Sequence, residues 1–72
     1  MNSQIHELDV VALIEELPER GLRRGQVGTV VMVHTPDVFE VEFCDNQGRT
    51  YAMLALNAQQ LMVLYYQPTK VA

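Results

Sequence analysis

At 72 residues the chain has room for one domain and not for two. Hydrophobic residues make up 49%, which excludes a disordered chain, and no apolar run is long enough to cross a bilayer as a helix. Nine acidic residues against five basic ones give a formal charge of −4, a field that repels polyanions and favours a basic protein surface.

Residues 9–14 read Asp-Val-Val-Ala-Leu-Ile, a short apolar run whose length suits strand or helix. Pro18 and Gly21 leave room for about two helical turns at most, and the β-branched content favours a strand. Residues 15–25 are rich in charge and punctuated by Pro18, Gly21 and Gly25, which predicts a long surface loop. A second strand runs over 26–34 and ends before Pro36. Gly28 inside it marks a bulge or a close backbone approach, the bend that a small barrel needs early in its second strand. In residues 38–44, Phe39, Val41 and Phe43 alternate with Glu40 and Glu42, so one face is apolar and the other acidic. Asp45-Asn-Gln-Gly predicts a polar turn with Gly48 at positive φ, and residues 49–56 form the returning strand. Asn57 opens one helical turn through Gln60, and residues 61–66 make the last strand, with Tyr65 or Tyr66 facing inward. The domain therefore spans residues 1–66, and 67–72 form a flexible tail.

Five short strands in so few residues are too little for two packed sheets. The expected fold is all-β: a small five-stranded SH3-like barrel with one short helical turn before the last strand, curled so that its edges are protected.

Catalytic and metal-binding patterns are missing. His6, His34 and Cys44 are scattered, without ligand spacing, so no metal or other cofactor is expected. As the sole cysteine, Cys44 cannot form an internal disulfide, and at the end of the third strand it reads as a half-buried packing residue rather than a nucleophile. Glu40 and Glu42 suit a solvated face better than an acid–base pair. Arg20, Arg23 and Arg24 lie in the one loop with room to adapt to a partner, where they either fork onto anionic groups or pair with Glu15, Glu16 and Glu19. Tyr51, Tyr65 and Tyr66 offer amphipathic contact area. The opening Met1-Asn-Ser-Gln-Ile-His-Glu lacks the basic flank and apolar stretch of a signal peptide, and a cytoplasmic location is expected.

Several segments together resemble a bacterial family of small uncharacterised proteins, a domain of unknown function (DUF). These are Leu8-Asp-Val-Val-Ala-Leu, Leu17-Pro-Glu, Leu22-Arg-Arg-Gly-Gln-Val-Gly-Thr-Val-Val, Val38-Phe-Glu-Val-Glu-Phe, Gly48-Arg-Thr-Tyr-Ala and Gln60-Leu-Met-Val-Leu. The resemblance covers about residues 5–64 and implies a fold without an established activity. It also implies a neighbouring gene for a small toxin-like protein, and hence an antitoxin or immunity role. Gly25-Gln-Val-Gly-Thr-Val-Val is similar to the KOW motif of ribosomal and transcription-factor barrels, over one strand and its leading loop. The topology also resembles small barrel subunits of photosynthetic electron-transfer complexes. Both are likenesses of fold.

The expected function is a non-catalytic protein-binding module: an antitoxin, immunity protein or small complex subunit. Its contact residues would come from Arg20, Arg23, Arg24, Glu40, Glu42 and Tyr51. The expected partner is another protein, such as a co-encoded one, and the chain itself is expected to be a monomer or weak homodimer. The alternative is a nucleic-acid-binding KOW-like barrel using Arg20, Arg23, Arg24 and Arg49.

Overall fold

The computed structural model describes residues 5–66 and 68. Five strands run in chain order: β1 (Val10–Leu13), β2 (Val27–Thr35), β3 (Val38–Cys44), β4 (Thr50–Asn57) and β5 (Leu61–Val63). Single 3-10 turns lie at Pro18–Arg20 and Ala58–Gln60. All neighbouring strands are antiparallel, in the order β4-β3-β2-β1-β5. This is the SH3-like arrangement: a three-stranded meander whose first strand also pairs with β1, and β1 in turn with the final strand. The sheet bends around a core of Val11, Leu13, Val30, Phe39, Val41, Phe43, Leu54, Leu56 and Leu61. The expected tail lies outside the described residues, apart from Pro68.

The alternation read from β3 holds, with Phe39, Val41 and Phe43 all but fully buried and Glu40 and Glu42 on the opposite face. Gly28 sits between Val11 and Phe43 in unbroken register. A β-carbon there would come within 2.7 Å of Val41 Cγ1 and 2.9 Å of the Glu42 carbonyl oxygen. Close backbone approach, not a bulge, therefore fixes this glycine.

The bulges lie elsewhere. On β2, Val31 and His34 have no cross-strand partner, and on β4 Tyr51 has none. The extra residue at Val31 reverses the phase of β2: Val30 faces the core, yet Met32, two residues on, stands opposite Glu40 on the outer face. A second extra residue at His34 leads into the two-residue Pro36-Asp37 turn. The predicted Gly48 turn is present at φ 81°. At the other end of β4, the Asn57 N–H donates to Gln60 Oε1 at 2.9 Å and helps to fix the 3-10 turn.

Four sequence expectations are corrected. The stretch 15–25 is not simply a surface loop: Leu17 and Leu22 bridge to each other and join the core, with Leu22 1% exposed. They hold the loop by apolar burial. β5 stops at Val63, so Tyr65 and Tyr66 escape the strand's alternation and both are exposed. Cys44 is exposed rather than half-buried, because it follows Glu40 and Glu42 in the outward alternation of β3 and ends the strand. The barrel's edges are not mutually protected either: β4 and β5 end the sheet on opposite sides and do not pair with each other.

Candidate interaction surface

The outer face of β2, β3 and β4 gathers side chains from three registers. Glu42 lies between Thr29 and Met53, and Glu40 between Met32 and Ala55. Met32 is 53% and Met53 47% exposed, an unusual amount of apolar surface beside two carboxylates. Both carboxylates are held in place. The bulge at His34 directs its Nε2 to Glu40 Oε1 at 2.7 Å, and the Thr50 hydroxyl donates to Glu42 Oε2. Each carboxylate keeps an oxygen outside these bonds for a further donor. The result is two anionic groups with restricted rotamers, flanked by two flexible thioether side chains that adapt to irregular apolar surfaces.

Tyr51 belongs to a different place. Its bulge sets it at the start of β4, where its ring lies 6.2 Å from that of buried Phe43, centroid to centroid, and it remains 47% exposed. It is a rim residue, near the end of the sheet rather than among the glutamates.

Arg20, Arg23 and Arg24 occupy the loop stapled by Leu17 and Leu22, and all three are exposed. Among the described residues none of their guanidinium groups forms an ion pair. The expected partners are otherwise engaged: Glu16 accepts the Arg24 backbone N–H at 3.2 Å, and Glu15 accepts from Gln60 Nε2 at 2.9 Å. Arg49 lies in the β3–β4 turn, at the same end of the strands, and its Nε donates to Asp45 Oδ2 at 3.1 Å. That turn pulls the Asp45 carboxyl below the usual carboxylate range, through the backbone N–H groups of Arg49 and then Gln47. Arg20, Arg23, Arg24 and Arg49 thus share one end of the sheet with Glu15, Glu16, Glu19 and Asp45, and that end carries no formal net charge. The excess negative charge comes from elsewhere, including Asp37, Glu40 and Glu42.

The structure therefore brings Glu40 and Glu42 together on one face and leaves the arginines at the sheet end, with Tyr51 at its rim. Met32, Met53, His34 and Thr50 belong to the glutamate face and were not singled out by sequence. Register places them there: the bulges at Val31 and His34 set it for Met32 and His34 on β2, and the pairing of β4 with β3, with its bulge at Tyr51, sets it for Met53 and Thr50. Among the described residues no group of three or more His, Cys, Asp or Glu side chains could hold a metal ion, and no helix is long and apolar enough to cross a membrane.

No curated protein and no solved structure matches the chain. One family model does, over residues 7–63, from the turn before β1 through the last residue of β5. This all-β chain belongs to that family, the domain of unknown function DUF4926.

Proposed function

We propose that the chain is a non-catalytic protein-binding module that takes a basic, partly apolar segment of another protein on the outer face of β2, β3 and β4. The observation that carries this reading is the pair Glu40 and Glu42, each fixed by a neighbouring side chain and flanked by half-exposed Met32 and Met53. Fixed carboxylates accept charge-assisted hydrogen bonds from Lys or Arg without first losing rotamer freedom. The methionines bury the aliphatic part of the same segment. An antitoxin, immunity protein or assembly subunit works by such contacts alone, and a small acidic chain suits a basic partner.

The second reading, nucleic-acid binding, draws on the three loop guanidiniums that lack an ion pair. It ranks behind because their end of the sheet is charge-balanced and Arg49 is committed to Asp45.

The test is quantitative capture from native lysate on tagged wild type and on the Glu40→Lys, Glu42→Lys double variant, with nuclease-treated and untreated arms. A stoichiometric protein retained by wild type after nuclease treatment, lost by the variant and cross-linked to β3 or β4, is the expected result. Equal retention by the variant refutes this face. Recovery of only RNA or DNA, released at moderate salt, replaces the reading with the second.

A further inference from the structure

The open side of β4 has a definite hydrogen-bond phase, and it follows from the other side of the sheet. Val30 donates its N–H to the Asp9 carbonyl at 2.9 Å and accepts from the Leu8 N–H at 2.7 Å, so its backbone groups face β1. Neighbouring residues in a strand alternate, so the groups of Thr29 face β3, where Thr29 stands opposite Glu42. The groups of Glu42 then face β2, and those of Val41 and Phe43 face β4, opposite Leu54 and Ala52. On β4 this leaves the N–H and C=O of Met53 and Ala55 pointing away from the sheet. No other hydrogen bond within the described chain takes them. Both neighbours in the same phase are closed to pairing: the Asn57 N–H is taken by the Gln60 side chain, and Tyr51 lies in the bulge.

Exposed strand edges are normally blunted by charge, proline, bulges or a covering segment. Across residues 52–56 β4 reads Ala-Met-Leu-Ala-Leu, with no charge and no proline, and its bulge lies outside this stretch.

We propose that this edge is a homodimer interface, in which β4 pairs antiparallel with β4 of a second copy about a two-fold axis at Leu54. In that register Met53 stands opposite Ala55 of the other copy and Ala55 opposite its Met53. The two outward N–H and two outward C=O groups of each chain then meet four of the other, leaving none unpaired. The side chains fit in the same register. Met53 meets Ala55 on the outer face, and on the inner face Ala52 meets Leu56 while Leu54 meets Leu54, so large residues oppose small ones around a central leucine pair. This self-complementarity selects a second copy over a foreign strand, since the edge carries no charge that would favour one. The copies' net charge does not prevent it: in this register each Glu42 lies three strand spacings, about 14 Å, from Glu40 of the other copy, beyond the ~8 Å screening length at physiological salt. One strand pair is a small interface, so association falls in the range of about 10 μM to 1 mM.

The proposal concerns the purified chain alone and does not depend on the partner face. The test is sedimentation velocity from about 1 μM to 1 mM, on wild type, Ala55→Pro and Met53→Lys, with circular dichroism to confirm folding and concentration-dependent amide exchange by NMR. Ala55→Pro removes only an outward N–H, at an edge position that tolerates proline. Wild type is expected to move from 8.2 kDa towards twice that mass. Each folded variant should need roughly tenfold more protein to do so. The Met53 and Ala55 amides should gain protection as concentration rises, a reading that stands even if both variants unfold. Wild type remaining at 8.2 kDa throughout overturns the proposal. So does a dimer unaffected by either folded variant, or protection of those amides only when a different protein is added.

Discussion

Replacing Gly28 with alanine should lower stability by about 2 kcal/mol, and steric contact should be the reason. The added carbon would meet Val41 Cγ1 at 2.7 Å, the Glu42 carbonyl oxygen at 2.9 Å and Phe43 Cδ2 at 3.0 Å. Val41 and Phe43 are both fully buried, so neither can swing into solvent, and the carbonyl is fixed within β3. Overpacking of this kind costs about 1–3 kcal/mol, here at the upper end because one contact is backbone. The lost freedom of the unfolded chain returns about 0.4–1 kcal/mol. A chain of 72 residues has roughly 4–10 kcal/mol in total. The midpoint of thermal unfolding should therefore fall by about 8–16 °C. Urea denaturation followed by circular dichroism measures the same difference. Adding Val41→Ala should recover only part of the loss against a Val41→Ala background, because the Glu42 carbonyl remains. An unchanged midpoint in Gly28→Ala would show that β2 and β3 separate freely at this point, and the close-approach argument would fail.

Leu22→Ala should cost about 2–4 kcal/mol and loosen the whole β1–β2 loop, read as faster amide exchange at Leu17 and Leu22; loss confined to global unfolding would refute a local staple. Asp45→Asn should make the protein less stable at neutral pH. The lowered carboxyl pKa contributes stability that is fully present above the unfolded value and is lost as pH falls through the folded one. The two proteins' denaturation midpoints should therefore converge in acid, and a constant gap down to the lowest pH would contradict the assignment. Cys44 should react with a thiol reagent in the folded state at close to its unfolded rate, one equivalent per chain, whereas slow labelling gated by unfolding would place it in the core.

Legibility divided along a physical line. Where one strand's own alternation decides orientation, the sequence was sufficient: Phe39, Val41 and Phe43 inward, Glu40 and Glu42 outward. Turn chemistry was equally local at Gly48 and at Asn57 with Gln60. Features that depend on which residue stands across the sheet were not legible. A bulge leaves no mark in an apolar run such as Thr-Val-Val-Met-Val, so Met32 could not be assigned to the glutamate face before the register was known. Leu17 and Leu22 stand isolated among charges and carry no periodicity, although they pin the loop. Tyr65 and Tyr66 extend an apolar-looking strand beyond its last bond to β1, the Leu64 N–H on the carbonyl of Val10, the residue at which β1 begins. On the candidate surface, the two glutamates were visible in advance, but the fixing groups His34 and Thr50 were not. The arginines were visible as a cluster, while their freedom from ion pairs depended on loop geometry that no spacing rule gives.

Gln60 bears on how the chain folds in time. Its side chain accepts from Asn57 and donates to Glu15, 45 residues away, while its carbonyl accepts from Ile14. It therefore joins the last connection to the first, alongside a β1–β5 pairing that spans nearly the whole domain. The β2–β3–β4 meander closes only short loops and can assemble early, whereas the β1–β5 seam has the largest loop-closure entropy to overcome. During synthesis the seam cannot form until Val63 has left the ribosome, so the four earlier strands wait with the β5 side of β1 unpaired. Folding speed should accordingly respond to substitutions in β2, β3 and β4, and unfolding speed to substitutions at Gln60 and along β5.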